Sequence, residues 1–304
     1  MVHKMKFGII EVGSTNTKAY IYDEGRLKNL GSHFIAFKTN YKEDGHLRES
    51  DVEELIEFIR NIKKETPEVH VFGTSIFRNL KDDERKSFLN LMKERLDIDF
   101  KIVTSDEESE YTVKGVIANI DYGQKMAVII GGGGSTEIAI IDHKNVVKKL
   151  NLNFGAMDIT EKYPELKSDT VVTPFEEMLR YTSNLVGNLD DDVECAVLAG
   201  GDYIYFYETV GYEMAKNTLY EDINQPFMID FPTADNYDHD ILSKSLDAIK
   251  EKCKDNTGWW DGARGMRFCM NAIARKLRAD YIIPTRINML IGLADEIIKT
   301  KTAE

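Results

Sequence analysis

Residues 125–142 read KMAVIIGGGGSTEIAIID: an apolar run, four glycines with Ser135 and Thr136, then a second apolar run. Met126 to Ile130 and Ile138 to Ile141 are rich in Ile and Val and carry the pattern of buried strands. The glycine-bearing stretch between them is short enough for a hairpin turn. Working outward, the same arrangement occurs near the start of the chain. There KFGIIEV (Lys6 to Val12) runs into the turn GSTN, and TKAYIYDE (Thr17 to Glu24) returns from it. Each hairpin is followed by a further strand pattern, over Gly31 to Phe37 in the first half and Val146 to Leu152 in the second. One glycine-bearing hairpin turn is ordinarily only a turn. Two at equivalent places imply an internal duplication, and predict two like α/β domains facing one another across a cleft.

The segments between the hairpins fit that plan. Val52, Leu55, Ile56, Ile59 and Ile62 recur at helical spacing behind Ser50-x-x-Glu53, which has the form of a capping box. Glu68 to Thr74 and Phe100 to Val103 read as strands, and Asp82 to Leu96 and Asp106 to Asn119 as helices. Thr173-Pro174-x-Glu176 predicts a helix with proline at its first position. Glu194 to Gly201 reads as a strand ending in a glycine pair, Gly200 and Gly201. The remainder reads mainly helical, with a less regular stretch from about Gly211 to Asp235.

Composition limits what the chain can do. Its 304 residues carry 52 acidic against 39 basic side chains, a net charge of −13. That field argues against binding a nucleic-acid duplex or an anionic membrane. A small anionic ligand then needs cations gathered locally. With 42% hydrophobic and 10% aromatic residues the chain can bury a core. Cys195, Cys253 and Cys269 are too few and too scattered for a disulfide framework or a zinc site. The apolar run Phe7 to Ile10 is cut by Glu11, short of a signal segment or a membrane span, so a soluble cytoplasmic protein is expected.

The candidate chemistry gathers around the turns. Gly132, Gly133, Gly134, Ser135 and Thr136 can bring backbone amides close to a polyanion, since glycine removes the Cβ obstruction. Gly13, Ser14, Thr15 and Asn16 offer the same from the first turn. Lys18 lies one strand step beyond, and Arg78, four residues past Thr74 at a strand-to-helix switch, can fork around a phosphate. Glu107, Glu108 and Glu110 stand at a helix start. Ser105-x-x-Glu108 itself has the form of a capping box, so Glu108 is either a cap or a base. Arg264, Arg267, Arg275 and Arg278 project on one helical face opposite Met266, Met270, Ile273 and Leu277. They form either a solvated face or a cationic rail.

These stretches together resemble the exopolyphosphatase/guanosine pentaphosphate phosphatase (Ppx/GppA) family of the actin, sugar-kinase and chaperone-ATPase superfold. EVGSTNTKAYIY is similar to its first phosphate turn, VFGTSIFRNLKD to its ATSxxR segment and IVTSDEESEYTVKGV to its ISGxEEAxxxxxGV segment. VIIGGGGSTEIAI resembles VxDxGGGSTELV, and LAGGDYI and RADYIIPTRINMLIG resemble later family segments. The resemblance implies two ribonuclease-H-like (actin-like) α/β domains, 1–121 and 122–285, with the C-terminal helix 286–304 packing back on the first. It implies a phosphoanhydride hydrolase acting on inorganic polyphosphate or a phosphorylated guanine nucleotide, and a homodimer. Glu108 falls at the position of the catalytic base, with Arg78 and Glu137 also in the catalytic set. Glu11 and Glu137 would hold Mg²⁺. The two turns, Lys18, Gly200 and Gly201 would bind phosphate. The chain departs from the family pattern at Glu11 and Ile130, where aspartates are usual, and at Ser105, Ser109, Glu110 and Asp202. A non-catalytic sensor of the same ligands, and an ATPase or kinase of the same superfold, are the alternatives.

Overall fold

The two apolar–turn–apolar runs are hairpins in a computed structural model, which describes residues 5–120, 124–168, 170–201, 203, 228–252 and 260–303. The chain divides into two compact units: the segment up to Gly115 with the segment from Met289 onward, and, in the main, Val116 to Asn288. Each is built on the same sheet.

In the first unit β1 (Lys6–Val12), β2 (Asn16–Asp23) and β3 (Arg26–Phe34) form an antiparallel meander. β4 (Val69–Gly73) and β5 (Phe100–Ile102) then add in parallel, giving the order β3-β2-β1-β4-β5. Helices α1 (Phe37–Asp44), α2 (Glu49–Glu65), α3 (Asp82–Leu96) and α4 (Ser105–Asn119) connect or follow these strands. The apolar stripe of α2 lies buried as its spacing requires, with Leu55, Ile56 and Ile59 fully covered. Phe37, Phe77, Phe88 and Phe100 pack ring against ring in the same core.

In the second unit β6 (Met126–Gly131), β7 (Thr136–Asp142) and β8 (Asn145–Leu152) repeat the meander. β9 (Cys195–Ala199) and β11 (Tyr281–Pro284) add in parallel, and a two-residue β10 (Ile229–Asp230) closes the edge, giving β10-β11-β9-β6-β7-β8. Two sheets with the same strand order and sense are the ribonuclease-H-like duplication expected from the sequence. Among the described residues no helix is long and apolar enough to cross a membrane.

Several local expectations are corrected. The third strand ends at Phe34 rather than Phe37, because α1 begins there. α2 is capped at Arg48 with no side-chain bond, and Ser50 instead turns its hydroxyl to Asp51 at 3.4 Å, so the Ser50/Glu53 capping box does not form. Pro174 is the cap of helix Phe175–Val186, not its first residue. Tyr281–Pro284 is a strand inside a region that reads as helical; four residues are too few to show a period of two. The irregular stretch expected from about Gly211 lies mostly outside the described residues.

The helix Met289–Ala303 belongs to the first unit, and one glycine explains how closely it packs. A Cβ on Gly292 would stand 1.8 Å from the carbonyl oxygen of Tyr111 and 3.0 Å from the amide nitrogen of Gly115. Both are backbone atoms of α4 and cannot swing aside. Gly292→Ala is therefore expected to lower stability by about 1–3 kcal/mol, the range for overpacking a filled site. Thermal unfolding checks this; an unchanged midpoint would mean that the two helices slide apart freely.

Candidate functional site

The two hairpin turns are closed identically. Gly13 donates its N–H to the oxygen of Asn16 at 3.0 Å, and Gly132 donates to Ser135 at 2.9 Å. The turn carbonyls are then fixed by the helix that follows the third strand. Lys38 N–H bonds Ser14 O at 2.9 Å, and at the equivalent place Met157 N–H bonds Gly133 O at 2.7 Å. Among the described residues no hydrogen bond uses the N–H groups of Ser14, Thr15, Gly133 or Gly134. Gly134 has nothing within 4 Å of the place a Cβ would occupy, so the fold itself does not demand a glycine there. Unspent amides at a glycine-bearing turn are the kind of donors an anion can take.

The strand register carries charge to these turns. Glu11 lies across from Lys18 in the first hairpin, and Ile130 across from Glu137 in the second. Burial pushes the Glu11 carboxyl above its usual range, Lys18 and Arg78 pull it down, and Glu108 raises it further. Glu11, Lys18, Arg78 and Glu108 are thus one interacting cluster in the first unit. In the second unit Glu137 accepts a hydrogen bond from Ser135 Oγ at 2.9 Å. Thr136, fully buried, donates to Phe154 O at 3.0 Å, which fixes the start of β7.

The head of α4 decides what Glu108 does. Thr104 Oγ1 accepts from Glu107 N–H at 3.1 Å, while Glu107 Oε2 accepts from Thr104 N–H at 2.8 Å. That reciprocal pair is a capping box one residue earlier than the sequence suggests, and the bond from Thr104 holds the Glu107 carboxyl below its usual range. The Ser105/Glu108 box does not form. Glu108 is left free of capping and takes Arg78 instead, with Nη1 to Oε2 at 3.0 Å. The same Nη1 reaches Val103 O at 3.3 Å, so the guanidinium spends one nitrogen on the protein. Arg78 projects from a short 3₁₀ turn, Ser75–Asn79, whose backbone is clamped by Arg85 Nη2 on Arg78 O and Leu80 O at 3.0 and 3.1 Å.

Sequence reasoning overlooked two members of this constellation. Thr104 was legible only as the neighbour of Ser105, an equally plausible cap. Ser75, whose hydroxyl lies 2.5 Å from that of Ser14, carries no signal beyond its place before Arg78. Gly200 and Gly201, expected among the phosphate-binding residues, have packing reasons of their own. Gly200 is left-handed at φ +86°, with Ile130 Cγ2 2.9 Å from the place of its missing Cβ, and Gly201 is covered by the Tyr203 ring. Asp202 lies outside the described residues.

The arginine face is mixed rather than one solvated face or one open rail: two of its arginines are buried, Arg275 is half-buried and Arg278 is exposed. Arg264 and Arg267 are almost wholly buried. Arg267 is ion-paired to Asp238, Arg275 to Asp235 and Arg278 to Asp192, and Arg264 donates to Ser168 O at 3.3 Å. Asn271 ties the first two pairs together, donating to Asp238 at 2.8 Å and Asp235 at 3.0 Å.

Known proteins share this architecture. A crystal structure of the Aquifex aeolicus member of the Ppx/GppA family superposes with a TM-score of 0.77 at 18% identity, covering 97% of this chain and 98% of that one. An exopolyphosphatase from Cytophaga hutchinsonii superposes at 0.71 with 13% identity, covering 97% and 98%. A curated relative, the bifunctional 3-dehydroquinate synthase/phosphatase of Fusobacterium nucleatum, is 25% identical over 155 residues, 48% of this chain but only 22% of that longer protein. The family model for Ppx/GppA phosphatases matches residues 32–227. With a duplicated ribonuclease-H-like sheet, an open-amide turn in each unit and that match over more than half its length, the chain belongs to the Ppx/GppA phosphatase family.

Proposed function

We propose that the protein is a phosphoanhydride hydrolase that releases orthophosphate from inorganic polyphosphate or a guanosine pentaphosphate-type nucleotide, with Glu108 as its base. The observation that carries this is the division of labour at the head of α4: Glu107 caps the helix, and Glu108 stands half-exposed on Arg78. Arg78 Nε and Nη2 remain to fork around a phosphate while Nη1 steadies the carboxylate. Water oriented by Glu108 attacks the terminal phosphorus in line. Its proton passes to the carboxylate, the bridging P–O bond breaks, and the bond pair leaves on the shortened chain. The open amides of Ser14 and Thr15, in the same unit as Glu108 and Arg78, take the charge that collects on phosphate oxygens.

Among the described residues no three His, Cys, Asp or Glu side chains converge as a preformed metal cage. A Mg²⁺ ion brought in on phosphates would need only one or two protein carboxylates. Glu11 beside the turn of the first unit and Glu137 beside that of the second are the candidate carboxylates, each within its own unit. When bound it would neutralise charge on phosphate oxygens.

Arg78→Ala is expected to weaken tripolyphosphate binding by about 1.5–3 kcal/mol, the range for a hydrogen bond to a charged group. Its melting temperature should barely move, since a half-exposed ion pair contributes about 0–1 kcal/mol. Calorimetric titration and a thermal melt check both; a large melting shift with unchanged affinity would make Arg78 structural.

Ile130, apolar where family members carry an aspartate, favours a second reading: a sensor that binds the same ligands without turnover. Orthophosphate release from medium-chain polyphosphate, a pentaphosphate guanine nucleotide and ATP, measured side by side with Mg²⁺ and Mn²⁺, separates the two. The hydrolase releases phosphate from one of the first two. No release from any, with tight binding of one, selects the sensor.

A further inference from the structure

Ser75 is out of place as a backbone. It sits at φ +49°, a left-handed conformation that costs an L-residue other than glycine about 1–2 kcal/mol. It is held there from both sides. Before it, Thr74 is buried and its N–H bonds Val12 O at 3.0 Å; after it, Ile76 and Phe77 are buried in the core. With that conformation comes a side-chain contact: Ser14 Oγ, in the middle of the first turn, donates to Ser75 Oγ at 2.5 Å. Ser14 is one of the residues whose amide is unspent.

A hydroxyl has one proton to donate and two lone pairs to accept with. Where Ser14 donates to Ser75, its proton is used inside the protein. That is the arrangement without ligand; an oxyanion lying over the turn amides reverses it, so that Ser75 donates to Ser14, the Ser14 proton goes to the anion, and the chained hydroxyls polarise one another. We propose that Ser75 is a positioning residue that acts through Ser14, turning the Ser14 hydroxyl outward as a donor to bound phosphate. The strained backbone is what brings the second hydroxyl into reach. This rests on the phosphate-binding reading of the first turn, and adds to it a residue that makes no ligand contact of its own.

Two substitutions with opposite backbone consequences isolate the hydroxyl. Ser75→Gly removes it and suits the left-handed conformation; Ser75→Ala removes it and keeps the strain. Affinity for tripolyphosphate is measured by calorimetric titration for both, alongside Ser14→Ala and each Ser75 variant combined with Ser14→Ala. Both single Ser75 variants should bind about 3–10-fold more weakly than wild type, the effect of one hydrogen bond. Neither should weaken binding further once Ser14 is alanine. Wild-type affinity in the two single variants, a loss that follows their melting temperatures, or a full additional loss in the Ser14→Ala background would each overturn the proposal. Failure of the wild-type protein itself to bind tripolyphosphate would instead sink the phosphate-binding reading, and this inference with it.

Discussion

Replacing Glu108 with glutamine is expected to cut orthophosphate release by about 10²–10⁴-fold, the contribution of a positioned general base. Glutamine still accepts the hydrogen bond that Arg78 Nη1 now gives to Glu108 Oε2 at 3.0 Å. It cannot take the proton of the attacking water. Ligand affinity should hold or improve, since a negative charge beside a polyanion is gone. Glu107→Gln is the matched control, with the same charge change one residue away. Glutamine serves the Thr104 capping box nearly as well as glutamate, so turnover should stay near wild type. Steady-state kinetics on the two variants decide the matter. Equal rates in both and in wild type would return Glu108 to a purely electrostatic role beside Arg78.

The largest stability effect is expected in the second unit, at Asp238. This carboxylate is buried with Arg267, each side chain only 2% exposed, and it also accepts from Asn271. Asp238→Ala leaves the Arg267 charge in the core without its counterion, at a cost of about 3–5 kcal/mol. The double change Asp238→Leu with Arg267→Met removes both charges and should recover most of that loss. Urea unfolding of the three proteins gives the comparison. A single-variant loss under about 1 kcal/mol would show that water reaches the pair and screens it.

That arginine cluster shows where the sequence stopped being informative. Within Ala263 to Ala279 there is no acidic residue, so a local window sees only positive charge on one helical face. The partners Asp192, Asp235 and Asp238 come from other elements, brought in by tertiary packing. The two hairpins were legible because a buried strand pair with a glycine-bearing turn announces itself within eighteen residues, and its repetition announces the duplication. Capping at α4 was half legible. Thr104 and Ser105 are both good caps, Glu107 and Glu108 are both acids three residues on, and nothing local chooses between the two registers. The choice falls to Arg78, thirty positions away, which engages Glu108 and leaves Glu107 to the helix. Ser75 is invisible for a similar reason. Its left-handed backbone is imposed by burial of the residues on either side, and no propensity for serine marks it.

The most direct test of water attack assisted by Glu108 is the isotopic content of the released phosphate. With tripolyphosphate or a pentaphosphate guanine nucleotide turned over in H₂¹⁸O with Mg²⁺, each released orthophosphate should carry one solvent oxygen. The rate of its appearance should collapse in Glu108→Gln and persist in Glu107→Gln. Product phosphate without solvent oxygen would mean transfer to another acceptor. No phosphate at all, from a protein that binds these ligands, would contradict hydrolysis outright.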